Sequence, residues 1–169
     1  MLKDDGTRRE YGTGAVRDTA DGKGRCDLIP LDICKEILLR EWPVDMAISP
    51  YILSKLELFQ RTGGEIHLRE AIKLTILEMF NCPATAFLEV AKHYEDGAKK
   101  YAERNWEKGI STHCYLDSAV RHYLKWLRGD KDEPHDRAVL WNLIGLWWTV
   151  LYRPEMNDLP YVNKEEEQK

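Results

Sequence analysis

Residues 135–152 read HDRAVLWNLIGLWWTVLY, and they are the strongest indication of the fold in this chain. Apolar side chains fall on almost every side of a helix drawn through them, so we predict a central, buried helix. Its small and polar positions form one strip, namely His135, Ala138, Asn142, Gly145 and Thr149. On a buried helix such a strip leaves room either for a closely packed neighbouring helix or for a ligand.

Helical periodicity extends from this segment over most of the chain, without a convincing period-two strand. The other predicted helices are Leu31–Glu41, Pro50–Gln60, Glu65–Phe80, one from Thr85 that ends at Asn105, and Tyr115–Arg128. The fifth of these six helices has an expected core stripe of Leu116, Ala119, Val120, Tyr123, Leu124 and Leu127. We therefore predict an all-α bundle of about five to six helices over residues 28–154. A polar N-terminal arm (1–27) precedes it, and a charged C-terminal tail (155–169) follows it.

Composition restricts the classes of function. The 169 residues suit one domain, and the net charge of -4 argues against a basic surface for extended nucleic acid. No apolar run is long enough for a membrane helix, and the first thirty residues have no signal-peptide core. The four cysteines form no CxxC motif, so buried, reduced thiols and a cytoplasmic protein are expected, and they are Cys26, Cys34, Cys82 and Cys114.

Three polar groups of residues stand out against the core. They are Lys100, Tyr101, Asn105 and Trp106; then Arg121, His122, Trp126 and Asp130; then Asp132, His135 and Asp136, followed by Asn142. Carboxylates near helix ends are the usual Mg²⁺ ligands, cations neutralise phosphates, and an aromatic ring stacks on a base. Each group also has a plainer interpretation, such as a surface ion pair between Asp117 and Arg121 or solvated faces at Glu89 and His93.

Separated blocks of sequence carry a family resemblance. They are Gly24–Pro30, Glu89–Ala91, Gly97–Tyr101, Asn105–Trp106 with Gly109, Ala119–His122 with Trp126 and Gly129–Asp130, and His135 with Asn142. These blocks resemble the phage and bacterial dATP/dGTP diphosphohydrolases, a family similar in outline to the MazG-like all-α pyrophosphohydrolases. Residues 42–84 look like a helical insertion, Asp130 stands where Glu is more common, and the paired-glutamate spacing of MazG proteins is not clean.

The resemblance implies a metal-dependent hydrolase that converts a deoxynucleoside triphosphate into monophosphate and pyrophosphate, serving phage nucleotide-pool modification. The ion would be Mg²⁺ or Mn²⁺, and its expected ligands come from Glu95, Asp117, Asp130 and Asp132. His122 or His135 is the candidate general base. The expected substrate contacts are Lys100, Tyr101, Asn105, Trp106, Arg121, Trp126 and Asn142. A homodimer or higher homo-oligomer is also expected, because six tryptophans and an apolar face on the last helices exceed what one small bundle needs to bury.

Two alternatives stay open. His135-Asp136 with His122 is similar to an HD-type phosphohydrolase, for which His93 and Asp158 are the only further ligands available. A non-catalytic helical interaction or nucleotide-binding protein is the other alternative. Clustering discriminates between them: four expected metal ligands gathered around one cavity would favour an enzyme, and scattered ones would favour an interaction module.

Overall fold

The computed structural model describes residues 8–10, 16–18 and 49–160. Within them the α-helices are α1 (Ser49–Thr62), α2 (Glu65–Phe80), α3 (Pro83–Tyr101), α4 (Thr112–Arg128) and α5 (His135–Tyr152). The 3-10 helices η1 (Asn105–Lys108) and η2 (Pro154–Met156) follow α3 and α5. Strands β1 (Arg8–Glu10) and β2 (Val16–Asp18) pair antiparallel inside the predicted polar arm, where no strand was expected. The predicted helix at 31–41 lies outside the described residues.

The helix boundaries occur at residues that cannot continue a helix. α2 ends at Asn81, whose φ of 57° is left-handed, and Pro83 then begins α3. α4 ends at Gly129, which has a φ of 84° that favours glycine. The predicted ranges Glu65–Phe80 and His135–Tyr152 are confirmed at both ends, and the all-α bundle is confirmed with them.

The α5 helix is the centre of the bundle and packs against α2, α3 and α4. Its small-residue strip faces α4, because a Cβ added at Gly145 would lie 2.5 Å from Cε1 of Tyr115. The Tyr115 ring, only 1% exposed, therefore occupies the room that glycine leaves. Further along the strip, Asn142 borders a cavity. The packing interpretation is therefore confirmed at Gly145, and the ligand interpretation stays a prediction at Asn142.

The orientation of α4 differs from the predicted stripe. Leu124 and Leu127 were expected in the core but are 51% and 46% exposed, whereas Tyr115 is buried and the His122 ring contacts His135. The close approach of Tyr115 to Gly145 sets this rotation. It turns His122 inward, toward the beginning of α5.

The segment after α5 returns to the beginning of α4. Asp158 Oδ1 accepts hydrogen bonds from the His113 N–H and the Thr112 hydroxyl, each at 3.0 Å, and its second carboxylate oxygen contacts the His113 ring. A carboxylate here satisfies an unpaired helix N–H and is favoured by the helix dipole. Leu159 is 1% exposed, so the packed part of the chain continues past residue 154, where the predicted domain ends.

Replacing Asp158 with asparagine keeps a hydrogen-bond acceptor but removes a charge that the helix dipole favours, so it is expected to lower the free energy of unfolding by up to about 1 kcal/mol at neutral pH. Burial raises the Asp158 pKa, but hydrogen bonds from His113 and Thr112 outweigh burial and lower the pKa from 3.8 to about 2. The carboxylate therefore stabilises the fold above its unfolded pKa and loses this effect as pH falls toward the folded value. Urea denaturation at neutral and at acidic pH should differ less for Asp158→Asn than for the parent. An equal difference in both proteins, with Asp117→Asn as the exposed control, would contradict this role.

The two described cysteines correct one expectation. Cys82 and Cys114 are exposed free thiols rather than buried ones. Cys82 lies in the turn that Pro83 ends, and Cys114 lies on the outer side of the first turn of α4. Cys26 and Cys34 lie outside the described residues.

The apolar surface bears on two further expectations. Trp106 and Trp147 are buried within this chain, while Leu88 and Leu124 are more than half exposed. The homodimer stays a prediction.

Over the described residues no single helix could span a membrane by length and composition; α2 and α3 pass that test only as a pair bent by 92°.

Candidate functional site

A cavity of about 490 Å³ lies between the end of α3, η1, α4 and α5. Volumes of several hundred Å³ are typical of small-molecule sites. The residues that line it are His93, Tyr94, Asp96, Gly97, Ala98, Lys100, Tyr101, Ala102, Arg104, Asn105, Trp106, Ile110, Ser118, His122, Glu133, Trp141 and Asn142. Aromatic rings, cations, carboxylates and imidazoles therefore share one space.

Aromatic side chains build one part of the wall. Trp106 is 7% exposed and packs edge-on against Tyr94 and Trp148, with ring centroids 5.8 and 4.8 Å away. The buried Trp106 Nε1–H has no hydrogen-bond partner within the described part of the chain. A buried donor of this kind is costly unless a ligand or water accepts its hydrogen bond. The wall thus offers a donor beside apolar ring surface.

Two cationic side chains reach the cavity where α3 ends. Lys100 lies in the last turn of α3, with Nζ 4.9 Å from the centroid of the Tyr101 ring. Arg104 follows in a left-handed conformation, with a φ of 53°, which reverses the chain into η1. The Arg104 guanidinium pairs with the Glu107 carboxylate, so the net positive charge beside the aromatic wall comes from Lys100. Phosphate groups bind to such cations.

Three potential metal-ligating atoms meet beside the cavity. The Nδ1 atoms of His122 and His135 lie 3.0 Å apart. Glu133 Oε1 lies 3.4 Å from His122 Nδ1 and 3.6 Å from His135 Nδ1. His122 and Glu133 line the cavity, whereas the His135 side chain is 1% exposed behind them. We call these three residues the His–Glu–His cluster.

The carboxylates next to the cluster are paired with cations. Asp132 accepts hydrogen bonds from Lys125 Nζ at 2.9 Å and from His135 Nε2 at 2.8 Å. The Lys125 bond, followed by the His135 bond, lowers the Asp132 pKa from 3.8 to about 2. Asp130 pairs with the Arg128 guanidinium, at 2.7 Å from Nε. Both carboxylates are therefore negatively charged, and cations in the last turn of α4 balance their charge.

Burial favours the neutral form of the two imidazoles on the cavity wall. Burial lowers the pKa of His93, against the opposing charge of Asp96. Burial also lowers the pKa of His122, against the opposing charge of Glu133. A neutral imidazole can accept a proton or bind a metal ion, and both are useful in a hydrolytic site.

The structure brings most, but not all, of the expected substrate contacts together. The expected substrate contacts that line the cavity are Lys100, Tyr101, Asn105, Trp106 and Asn142, and His122, an expected general base, lines it as well. Arg121 lies outside it and bonds Asp117 at 3.2 Å and Ser118 at 2.9 Å. Trp126 is also outside it and stacks on Tyr123, with centroids 6.3 Å apart. The rotation of α4 that turns His122 inward leaves Arg121 at the surface.

The four expected metal ligands do not converge. Asp130 and Asp132 lie close to His135, but Glu95 and Asp117 belong to no group of three potential ligands found among the described residues. Glu95 is buried and pairs with Lys99 at 3.0 Å, and the exposed Asp117 pairs with Arg121. By the clustering criterion the scatter of these four carboxylates favours the interaction module, and the His–Glu–His cluster is a separate group of potential ligands that the sequence did not predict.

The ligand set of an HD-type site is not assembled. His93 and His122 line the same cavity, and His135 contacts His122. Asp136 and Asp158, however, belong to no potential ligand group in the described chain. The Asp158 carboxylate is bonded at the beginning of α4 instead.

Sequence reasoning missed Asp96, Arg104 and Glu133, and it considered His93 only as a ligand of the HD-type alternative. The polar side of α3 was expected to face solvent, but part of it faces the cavity, where the His93 ring lies 5.5 Å from that of Trp141. On the same helix, Glu89 bonds Arg137 of α5 at 2.7 Å rather than lying free on the surface. Glu133 could have been found from the sequence, because it is next to Asp132 and two residues before His135, both of which were already candidate site residues.

The comparison with protein families places this site in a known context. A family model described as "dATP/dGTP diphosphohydrolase, N-terminal" matches residues 64–159, more than half of the chain. The chain belongs to this family. The match includes every residue of the cavity wall and of the His–Glu–His cluster. No curated protein and no solved structure matched the chain.

The extent of the match bears on the other expectations from family resemblance. It begins at Gly64, so it includes residues 64–84 of the expected insertion and excludes the Gly24–Pro30 block. The insertion and the MazG-like outline both stay predictions.

Proposed function

We propose that this chain hydrolyses a deoxynucleoside triphosphate, dATP or dGTP, to the monophosphate and pyrophosphate. Membership of the diphosphohydrolase family supports the reaction class. The observation that carries the proposal is the cavity of about 490 Å³, in which aromatic, cationic, imidazole and carboxylate side chains meet. Each of these groups has a task in cleaving a nucleotide. A role in modifying a phage nucleotide pool is part of the same proposal.

Substrate binding uses the two sides of the cavity differently. The Lys100 and Arg104 side chains neutralise the triphosphate, because both reach the cavity near the end of α3. The base packs against aromatic surface, with Trp141 half-buried and Tyr101 60% exposed. Asn105 and Asn142 offer amides to the base edge; one Asn142 N–H already bonds Ala138 O at 2.7 Å.

The chemical step is attack of water on the α-phosphorus. The new P–O bond forms as the bond to the bridging oxygen breaks, pyrophosphate leaves, and an imidazole accepts the proton from water. His93 is the proposed acceptor, because it lines the cavity and its ring is not part of the His–Glu–His cluster. His122 and His135, the bases expected from sequence, contact each other and Glu133 through their Nδ1 atoms.

A divalent cation, Mg²⁺ or Mn²⁺ by the sequence expectation, completes the proposal. When bound, it neutralises phosphate oxygens and favours departure of pyrophosphate. The donor set fits Mn²⁺ better than Mg²⁺, since the Glu133 carboxylate lies beside two imidazole nitrogens next to the cavity. Asp130 and Asp132 fit less well, because Arg128 and Lys125 already neutralise them.

A product assay tests the proposal. The purified chain is incubated with each dNTP and NTP and with Mg²⁺ or Mn²⁺, and products are separated by anion exchange. Monophosphate plus pyrophosphate, with dATP or dGTP preferred, is the expected result. Nucleoside plus triphosphate would replace the proposal with HD-type chemistry, and no turnover would leave an interaction protein.

A variant pair links the products to this cavity rather than to a contaminating hydrolase. Lys100→Gln removes a charge-assisted phosphate contact, so KM is expected to rise about tenfold. Lys108→Gln removes an exposed charge from η1, outside the cavity wall, and serves as the matched control. Equal KM values in the two variants would exclude Lys100 from substrate binding.

A further inference from the structure

We propose that the His–Glu–His cluster (His122, Glu133 and His135) binds a divalent transition metal of the Mn²⁺, Co²⁺ or Zn²⁺ class in preference to Mg²⁺. The role of that ion in nucleotide cleavage rests on the proposed function. Its binding does not, because the cluster is defined by its own geometry.

The spacing of the three ligand atoms matches one coordination sphere. The separations are 3.0 Å between the two Nδ1 atoms, and 3.4 and 3.6 Å from these atoms to Glu133 Oε1. Bonds of about 2.0–2.2 Å to a single ion place neighbouring ligand atoms about 3–3.5 Å apart in octahedral or tetrahedral geometry. One ion can therefore bond all three atoms with small side-chain adjustments.

Asp132 prepares His135 for this role. His135 Nε2 lies 2.8 Å from Asp132 Oδ1, so Nε2 carries the proton and donates it to the carboxylate. In the neutral ring Nδ1 then has its lone pair free, and this atom faces His122 and Glu133. A carboxylate that holds the far nitrogen of a metal-binding histidine is a recurrent second layer of metal sites. Lys125 in turn holds Asp132, through a bond of 2.9 Å.

The charge balance around Glu133 also favours a cation. Lys125 Nζ lies 3.8 Å from Glu133 Oε1, against 2.9 Å from Asp132 Oδ2, so its hydrogen bond goes to Asp132. With Nε2 protonated, His135 Nδ1 accepts a hydrogen bond from His122 Nδ1 at 3.0 Å, and Glu133 Oε1 lies 3.4 Å from that same donor atom. Two acceptors therefore share one proton, which a divalent ion can replace with a bond to each atom. A metal ion satisfies both atoms together.

The donor types indicate the class of metal. Two nitrogens and one carboxylate oxygen suit Mn²⁺, Co²⁺ or Zn²⁺, whereas Mg²⁺ takes oxygen ligands almost entirely. The cavity beside His122 and Glu133 leaves the remaining coordination positions open to water or to phosphate oxygens. The cluster thus has the form of a site that binds a metal and a ligand together.

Titration of the metal-free full-length chain with Co²⁺ tests the inference, with visible d–d absorption reporting nitrogen coordination. One Co²⁺ per chain is expected, and an equal concentration of Mg²⁺ should leave it bound. Because His135 is buried, the more exposed Glu133 and Asp132 carry the variant test. Glu133→Gln is expected to weaken Co²⁺ affinity strongly. Asp132→Asn should weaken it about 10–100-fold without removing a ligand.

Glu57→Gln is the matched control, because Glu57 is an exposed carboxylate on α1 paired with Arg61. Its Co²⁺ affinity should equal that of the parent. Absence of saturable Co²⁺ binding, equal affinity in Glu133→Gln, or displacement by equimolar Mg²⁺ would each overturn the inference. Metal binding without nucleotide hydrolysis would overturn the proposed function alone. Hydrolysis without Co²⁺ binding at the cluster would overturn this inference alone.

Discussion

Replacing Glu133 with glutamine is expected to lower kcat/KM for deoxynucleoside triphosphate hydrolysis by about a hundredfold or more, while the fold is retained. The substitution keeps the shape of the side chain but removes the negative charge beside His122 and His135. A bound cation contributes several kcal/mol of transition-state stabilisation, and a hundredfold loss corresponds to about 2.7 kcal/mol. Steady-state kinetics with saturating Mn²⁺ measures the effect.

Two further variants make the Glu133 result specific. Glu133→Asp retains the charge on a shorter side chain and is expected to fall between the parent and Glu133→Gln. Glu57→Gln removes an exposed charge far along the chain and should leave kcat/KM unchanged. The midpoint temperature of thermal denaturation should be close to that of the parent for all three variants, because the Glu133 side chain is partly exposed. Parental kcat/KM in Glu133→Gln would exclude the carboxylate from the reaction.

Replacing Gly145 with alanine is expected to lower the free energy of unfolding by about 2 kcal/mol. The added methyl would lie 2.5 Å from Cε1 and 2.9 Å from Cζ of Tyr115. That ring is buried on α4 and cannot move without shifting the contact between the two helices. The clash exceeds the gain of about 1 kcal/mol that alanine brings over glycine in a helix. Urea denaturation gives the difference.

The same change at Gly97 is the matched control. Gly97 lies within α3, and no neighbouring atom would come within 4 Å of an added Cβ. Gly97→Ala is therefore expected to raise the free energy of unfolding by up to about 1 kcal/mol. In a Tyr115→Leu background the cost of Gly145→Ala should shrink, because the ring atoms it meets are gone. If Gly145→Ala lowers the free energy of unfolding equally in the Tyr115→Leu background, its cost does not come from contact with the Tyr115 ring.

Periodicity predicted the helices well, because a helix is a local structure whose apolar spacing and end signals lie in the residues themselves. Glu65–Phe80 and His135–Tyr152 match at both ends. The rotation of α4 about its own axis could not be predicted from the local sequence. It depends on the contact between Tyr115 and Gly145, which are thirty residues apart in the chain.

The candidate site divides in the same way. Residues at the end of α3 and in η1 were predicted together because they are neighbours in sequence, and the structure places them on one cavity wall. Carboxylates on different helices could not be grouped by spacing. Asp117 turned to the surface and Glu95 packed against its own helix, while Glu133 reached two imidazoles.

Residue types in local order were enough to predict the helical class, the family and both ends of Glu65–Phe80 and His135–Tyr152. The choice among carboxylates as metal ligands required the tertiary structure. A ligand site is a matter of distances of about 3 Å between side chains on separate elements, and helix rotation changes those distances by far more than that. The contact of Tyr115 with Gly145 turns His122 toward His135, and the loop before α5 brings Glu133 to both.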